Sequence, residues 1–395
     1  MTTTLRVFDP YDYGFHEDPY PTYAWLRAEA PLYRNDELGF WALSRHADVL
    51  DGFRDATRFS SADGVSLDPM ATGKHASRVM SFLAMDDPRH FRMRSLVTKG
   101  FTPRRVQALE ERVREITRGH LDVALAADSF DFIDDLAGKV PMDVVSELLG
   151  VPEADRAELR RLADLVVHRE DGVLDVPPAA SEASLQLIVY YLDLIADRRA
   201  TRRDDLTSAL LDVDIDGEHL TDDELCAFLF LMVVAGNETT TKLLGNAWYW
   251  ADLHPEQKAA AFGGAIPQWV DETLRFDASS QVLARTCLEQ TELHGQVIAA
   301  GDRVLLLIGS ANRDERVFPQ PDVFDLGRDT TELLSFGNGT HFCLGASLAR
   351  LETRIVLEEL VGKVRSYDVD TGRAERVHSV NVRGFAHLPT TVVRR

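Results

Sequence analysis

Between Pro88 and Pro267 the apolar residues of this chain recur almost everywhere at helical spacing, with breaks only at residues 100–103, Pro141, residues 150–152, Pro177, Gly217 and Pro255. A helical stretch of that length leaves little room for strands. Any sheet must therefore come from the two ends of the chain. Leu32 and Tyr33 with Phe40 to Leu43 suggest a hairpin turned at residues 35–39, and strand-like runs return at Val282 to Cys287, Val297 to Ile298 and Arg303 to Leu307. The pattern predicts a mainly α protein with small β-sheets, a helical lobe and a minor β-rich lobe built from both chain ends. With 395 residues and 45% hydrophobic content the chain can bury a sizeable core, and residues 1–395 are expected to form a single domain.

The helical part contains one unusual run. Thr221 followed by Glu224 forms a capping box that opens a helix from Leu225 to about Leu253. Midway along it, Ala235, Gly236, Asn237, Glu238, Thr239 and Thr240 interrupt an otherwise apolar segment. Ala235 and Gly236 can leave space for a ligand or a local widening of the helix, with Thr239 bonding back to a carbonyl. A kinked core helix with satisfied hydroxyls is the alternative. Elsewhere, a short helix is expected from Pro19 to Glu29, and Ser44 is expected to cap another that ends near Asp55. Residues 60–85 show no steady period and read as a long loop covering a ligand, and residues 171–180 read as a flexible connection.

Composition narrows the partners. A formal net charge of -21 argues against a general nucleic-acid binder and against a protein held on anionic lipid. Cys226, Cys287 and Cys343 are widely spaced with no C-x-x-C pair, which suits a reducing compartment and offers no zinc framework. No run approaches the ~18 apolar residues that span a bilayer, and Met1 to Pro10 lacks a leader pattern. The expectation is a cytoplasmic protein with no membrane insertion.

The third cysteine has the most telling surroundings. In S-F-G-N-G-T-H-F-C-L-G-A-S-L-A-R, from Ser335 to Arg350, Gly337, Gly339 and Gly345 leave room for a large planar ligand near the backbone, and Phe336 can shield the sulfur from water. Ala346, Leu348, Ala349, Leu351, Ile355 and Leu357 then repeat at helical spacing, so Cys343 sits just before a helix N-terminus, where the dipole favours a thiolate. The order F-G-x-G-x-H-x-C-x-G resembles the cysteine signature of the cytochrome P450 family, and every fixed position of that signature is filled. The string A-G-N-E-T-T from Ala235 resembles the same family's oxygen-binding helix.

The resemblance implies a haem b whose iron takes Cys343 as axial ligand, with Ala235, Phe336 and Gly345 among the contacts of the group. His90 and Arg94, spaced H-x-x-x-R, together with Arg285 and His341, match the family's propionate contacts. Glu238 and Thr239 match the acid and alcohol that relay protons toward dioxygen. Glu272 and Arg275, spaced E-x-x-R, match a buried structural pair. The arginine that often completes it is replaced by Val323, so Arg328 or Arg313 is expected to serve instead.

By the same resemblance the protein is a monooxygenase that takes electrons from NAD(P)H through a ferredoxin and its reductase, since no flavin or nicotinamide fingerprint is present. It is expected to hydroxylate or otherwise oxidise a hydrophobic small molecule such as a natural product, steroid or fatty acid. A peroxide-driven peroxygenase and a haem-binding sensor or carrier are the alternatives. The pocket is expected along residues 60–85, including Phe82 and Leu83, with Met232, Val233, Val282, Leu283 and Phe385. A basic docking patch on the cysteine side would draw on Arg92, Lys99, Arg104, Arg105, Arg350 and Arg354.

Overall fold

The computed structural model describes residues 6–98, 101, 103–171, 173, 176–214 and 217–395. Lys99, the Gly100 break, Gly172 in the expected connection, the first five residues and the Arg105 side chain lie outside the described residues.

The helix Asp222–Leu253 is the axis of the molecule. Its capping box forms as expected: the Glu224 backbone N–H donates to Thr221 Oγ1 at 3.2 Å, and the Thr221 backbone N–H donates to Glu224 Oε2 at 3.1 Å. Leu225, Phe228, Leu229, Val233, Leu244 and Trp248 are all buried, so the helix is covered on nearly every side and needs no polar face. Helices Lys139–Leu149, Glu153–Val167, Pro178–Ala200 and Ile266–Phe276 pack around it, and all belong to one large core. The helix stays α-helical through Ala235 and Gly236, with no widening, even though Thr239 Oγ1 donates to the Ala235 carbonyl at 2.7 Å.

The β-rich part draws on both ends of the chain. One five-stranded sheet runs in the order Leu32–Asn35, Phe40–Leu43, Arg303–Leu307, Val282–Cys287, Phe59–Ser60. Only the pairing of Phe40–Leu43 with Arg303–Leu307 is parallel. A second sheet joins Ser129–Asp131, Pro389–Arg394 and Val364–Val369.

Two local expectations are corrected. Ser44 does not cap the helix His46–Arg54; its hydroxyl donates to the Pro31 carbonyl at 3.3 Å, and the His46 backbone N–H donates to Asp314 Oδ2 at 2.8 Å. The helix terminus takes its acceptor from a residue remote in sequence, which no local motif reveals. Residues 60–85 are not structureless either. They hold the short helical turns Pro69–Ala71, Ser77–Met80 and Ser81–Ala84, pinned at the start by Asp86, which accepts from Ser60 Oγ at 2.5 Å and from the Ser61 N–H at 2.8 Å. Among the described residues no helix is long and apolar enough to cross a membrane.

Candidate active site

The loop carrying Cys343 is held from outside before it reaches the sulfur. Asn312 accepts from the Leu334 N–H at 2.7 Å and donates to Ser335 Oγ at 2.7 Å, while Ser335 donates to the Leu274 carbonyl at 2.5 Å. Gly339 has a φ of +69°, and a Cβ there would stand 2.8 Å from the Phe53 carbonyl, so the chain needs glycine for both conformation and clearance. The Cys343 N–H donates to the Phe336 carbonyl at 2.9 Å, and the helix Ala346–Lys363 begins three residues later.

The sulfur opens into a cavity of about 400 Å³. Burial pushes the thiol up, against the Gly345 and Ala346 backbone N–H groups and the charges of Arg94 and Arg350, which pull it down.

The same cavity is lined by Ala235, Gly236, Thr239 and Thr240 of the long helix, with only Val145, at 3.9 Å, near a Cβ placed on Gly236. Glu238, adjacent in sequence, does not line the cavity. It lies between the directions of Leu231 and Val234, which do line the cavity, but is itself 1% exposed, with Lys242 Nζ at 3.4 Å from Oε2. Burial raises its carboxyl, but Lys242 and Asp164 outweigh that and hold it below its ordinary value.

Four nitrogen-bearing side chains from three distant segments converge beside the cysteine loop. His90 and His341 lie ring to ring at 4.0 Å, with Arg94 one turn beyond His90 and Arg285 on the strand Val282–Cys287. Desolvation pushes His341 down to about 2, helped by His90, Arg285 and Arg94, and pushes His90 below its ordinary value, so both are neutral at pH 7. His90 Nε2 and His341 Nδ1 are buried without a hydrogen-bond partner. Arg285 is lowered to about 10 by desolvation, and among the described residues neither it nor Arg94 has a carboxylate within ion-pair distance. Two unpaired guanidiniums and two orphaned imidazole nitrogens ask for the carboxylates of a ligand. The donor set therefore fits the thiolate-bound, two-propionate haem implied by the resemblance. His90 itself stands behind His341 rather than on the cavity wall.

Arg275 and Glu272 make a two-pronged pair, Nε to Oε2 at 2.8 Å and Nη2 to Oε1 at 2.7 Å, with both side chains at 1% exposure or less. The third partner is Arg328, whose Nε reaches Glu272 Oε1 at 3.3 Å; Arg313 instead pairs with Asp322 at 3.1 Å. Beside this group, fully buried Asp277 accepts from Tyr20 at 2.7 Å, Trp250 at 2.7 Å and Arg383 at 2.7 Å. Sequence reasoning missed that hub, because its partners come from three separate regions.

The pocket expectations divide. Phe82, Leu83, Met232 and Leu283 line the cavity, with Val79 and Met80. Val233, Val282 and Phe385 do not. Val233 follows Met232 by one helical step and turns into the core, Val282 alternates with Leu283 to the opposite face of its strand, and Phe385 packs on Tyr249 with ring centroids 4.6 Å apart. Residues 379–382, Val166 and Val167, which carried no sequence signal, complete the wall. Of the supposed docking arginines, Arg92 is paired with Glu224 at 3.2 Å, Arg350 with Asp271 at 2.8 Å and Arg354 with Glu358 at 2.7 Å, so the patch is largely neutralised.

The family model for cytochrome P450 matches residues 266–385. Cytochrome P450 123 of Mycobacterium tuberculosis is 60% identical over 392 residues, covering 98% of each chain. The methyl-branched lipid omega-hydroxylase of the same organism is 34% identical over 386 residues, 93% of this chain and 90% of that protein. Cytochrome P450 CYP109Q5 from Chondromyces apiculatus has the same fold, with a TM-score of 0.89 at 35% identity and 98% of both chains covered. This likeness, with the cavity between a cysteine loop and an alcohol-bearing helix, defines a haem oxidoreductase. The chain belongs to the cytochrome P450 family and is a P450 monooxygenase.

Proposed function

We propose that the protein binds haem b through Cys343, with the propionates on His90, Arg94, Arg285 and His341. In this reading it oxidises a hydrophobic small molecule with electrons delivered from NAD(P)H by a ferredoxin and its reductase. The carrying observation is that Cys343, Thr239 and two arginines without a carboxylate partner among the described residues, Arg94 and Arg285, line one cavity. When bound, a thiolate-ligated haem supplies dioxygen activation, with the sulfur favouring O–O cleavage.

The chain's own residues do the rest. Arg94 and Arg285 neutralise the propionates, and His341, on the cavity wall with Nδ1 unpartnered, donates an N–H bond to them, backed by His90. Thr239 lines the cavity with its O–H donated to the Ala235 carbonyl at 2.7 Å, so it offers its oxygen lone pairs there and passes a proton on only after releasing that carbonyl. Glu238, next to it in sequence, resupplies that proton. Val79, Met80, Phe82, Leu83, Met232 and Leu283 exclude water and select an apolar substrate. A lipid, steroid or other hydrophobic natural product fits that wall, and a related enzyme is named for methyl-branched lipids. The presence of Glu238 and Thr239 favours this reading over a peroxide-driven enzyme or a haem sensor.

A screen of lipids, steroids and macrolides for shifts of the ferric Soret band, followed by product analysis with NAD(P)H, ferredoxin, its reductase and oxygen, tests the proposal. An apolar compound that shifts the band and gains one oxygen atom only with all components supports it. Turnover supported by hydrogen peroxide alone at the same rate overturns it.

A further inference from the structure

The helix Pro178–Ala200 leaves one face uncovered. Leu187, Tyr191, Leu194 and Ile195 turn inward and are buried, and Ser184 reaches the cavity wall. On the other side Leu185, Val189 and Leu192 are 63%, 58% and 38% exposed, with exposed Ala196 next in line. Glu182 begins this line and Arg199 ends it, both exposed. At about 100° per residue, the six side chains fall within a strip about 100° wide. A single exposed leucine is ordinary, whereas three large apolar residues at helical spacing make a continuous strip that asks for a partner.

The strip reads the same from both ends. Glu182 stands as far from the midpoint between Tyr190 and Tyr191 as Arg199 does, Leu185 as far as Ala196, and Val189 as far as Leu192. Two copies laid antiparallel about a two-fold axis at that midpoint set Leu185 on Ala196 of the second copy, Val189 on Leu192, and the Glu182 carboxylate on the Arg199 guanidinium. Each contact is made twice, and the charges are opposite at both ends. Arg199 is engaged within its own chain by an exposed ion pair with Asp222, whose loss costs little. A lipid surface fits less well: the exposed flanks Gln186 and Asp193 supply no cation, and a formal net charge of -21 repels anionic lipid.

We propose that this face of the helix Pro178–Ala200 binds a second copy of the chain, helix to helix and antiparallel about a two-fold axis. The proposal does not depend on the haem assignment or on the substrate. A strip about 26 Å long and one side chain wide buries less than the ~1,200 Å² of a standard interface, so the dimer is a weak one that forms and dissociates reversibly.

Sedimentation velocity of the holoenzyme, from low micromolar to several hundred micromolar protein, tests this on wild type, Val189→Asp, Glu182→Arg, Arg199→Glu and an equimolar mixture of the last two. Expected is a wild-type monomer–dimer equilibrium that Val189→Asp weakens roughly 10-fold or more, because a carboxylate is then pressed against Leu192 of the second copy. Glu182→Arg and Arg199→Glu each bring like charges together and are expected to weaken pairing several-fold. Their mixture restores both opposite-charge contacts and is expected to dimerise as wild type does. All the changed side chains are exposed, and an unaltered thermal midpoint checks that each variant folds. A wild type that stays monomeric over the whole range overturns the proposal, as does a Val189→Asp that dimerises like wild type. If wild type dimerises but the mixture associates no better than either variant alone, the antiparallel pairing is overturned. Binding of monomeric wild type to phosphatidylcholine vesicles, lost in Val189→Asp, assigns the face to lipid and overturns it as well.

Discussion

The two ends of the cavity are built differently. At the cysteine end, Asn312, Ser335 and the Leu274 carbonyl form one hydrogen-bonded chain, and Glu272 is gripped by Arg275 and Arg328 in a fully buried cluster. Along the wall of residues 65–83 the bonds are of two kinds: local ones, such as Thr72 Oγ1 to the carbonyls of Ser66 at 2.9 Å and Asp68 at 2.7 Å, and remote ones near its start, from Arg303 to the Ser66 carbonyl at 2.7 Å and from the Ala284 N–H to the Val65 carbonyl at 2.7 Å. An ion pair of Asp68 with Arg169 ties that loop to the segment after the helix Glu153–Val167. Reactivity is thus mounted on an over-determined frame, and selectivity on a wall that can be re-cut without loosening the frame.

The largest expected effect breaks the cysteine end outright. Cys343→Ala is expected to abolish the thiolate-type absorption of the reduced carbon monoxide complex and all oxygenation; a spectrum like that of wild type would remove the axial ligand assignment. Next is the buried charge cluster. Glu272→Ala strands Arg275 and Arg328 and is expected to cost about 3–5 kcal/mol in thermal or denaturant unfolding. Thr72→Ala, at the other end, is expected to cost only about 1 kcal/mol. Equal losses would erase the contrast between the ends.

Asp277 gives that contrast a pH signature. Although burial raises its carboxyl, Arg383 and Arg376, with Tyr20 and Trp250, hold it well below the usual range. A depressed carboxyl contributes stability that is present above its unfolded value of about 4 and is lost as pH falls through the folded one. Wild type is therefore expected to exceed Asp277→Asn in stability at pH 7, with the gap narrowing below about pH 4. A gap that is constant with pH would count against the ion hub.

Smaller effects lie at the cavity itself. Thr239→Ala is expected to raise peroxide release per NAD(P)H several-fold while leaving stability within about 1 kcal/mol, because its hydroxyl bonds only a helix carbonyl. Leu283→Phe is expected to change preference between substrates of different girth by roughly 10-fold. Its thermal midpoint should stay near that of wild type, and a large drop would mean that the wall is part of the frame.

Much of the site was legible because its chemistry is local. Cys343 with its glycines, His90 with Arg94 one turn away, the capping box at Thr221 and the Glu272–Arg275 spacing each announce themselves within a few residues. Contacts between distant segments do not. The cap on His46 comes from Asp314, the third partner of the Glu272–Arg275 pair is Arg328, and residues 379–382 reach the cavity only because the second half of the chain folds back over it. Periodicity could have excluded Val233 and Val282, each one step out of phase with a neighbour that lines the cavity, once the facing of Met232 and Leu283 was known.

Sequence alone determined a mainly helical protein with a thiolate-ready cysteine before a helix and an alcohol within a long buried one. Residue type and short spacing dictate both, through backbone clearance, dipole and hydrogen-bonding capacity. Only the tertiary structure decided that Glu238 is buried off the cavity wall, that Arg328 rather than Arg313 completes the buried pair, and which side chains line the cavity. Those outcomes depend on the rotation of each helix and the alternation of each strand against partners remote in sequence, and packing alone sets that phase.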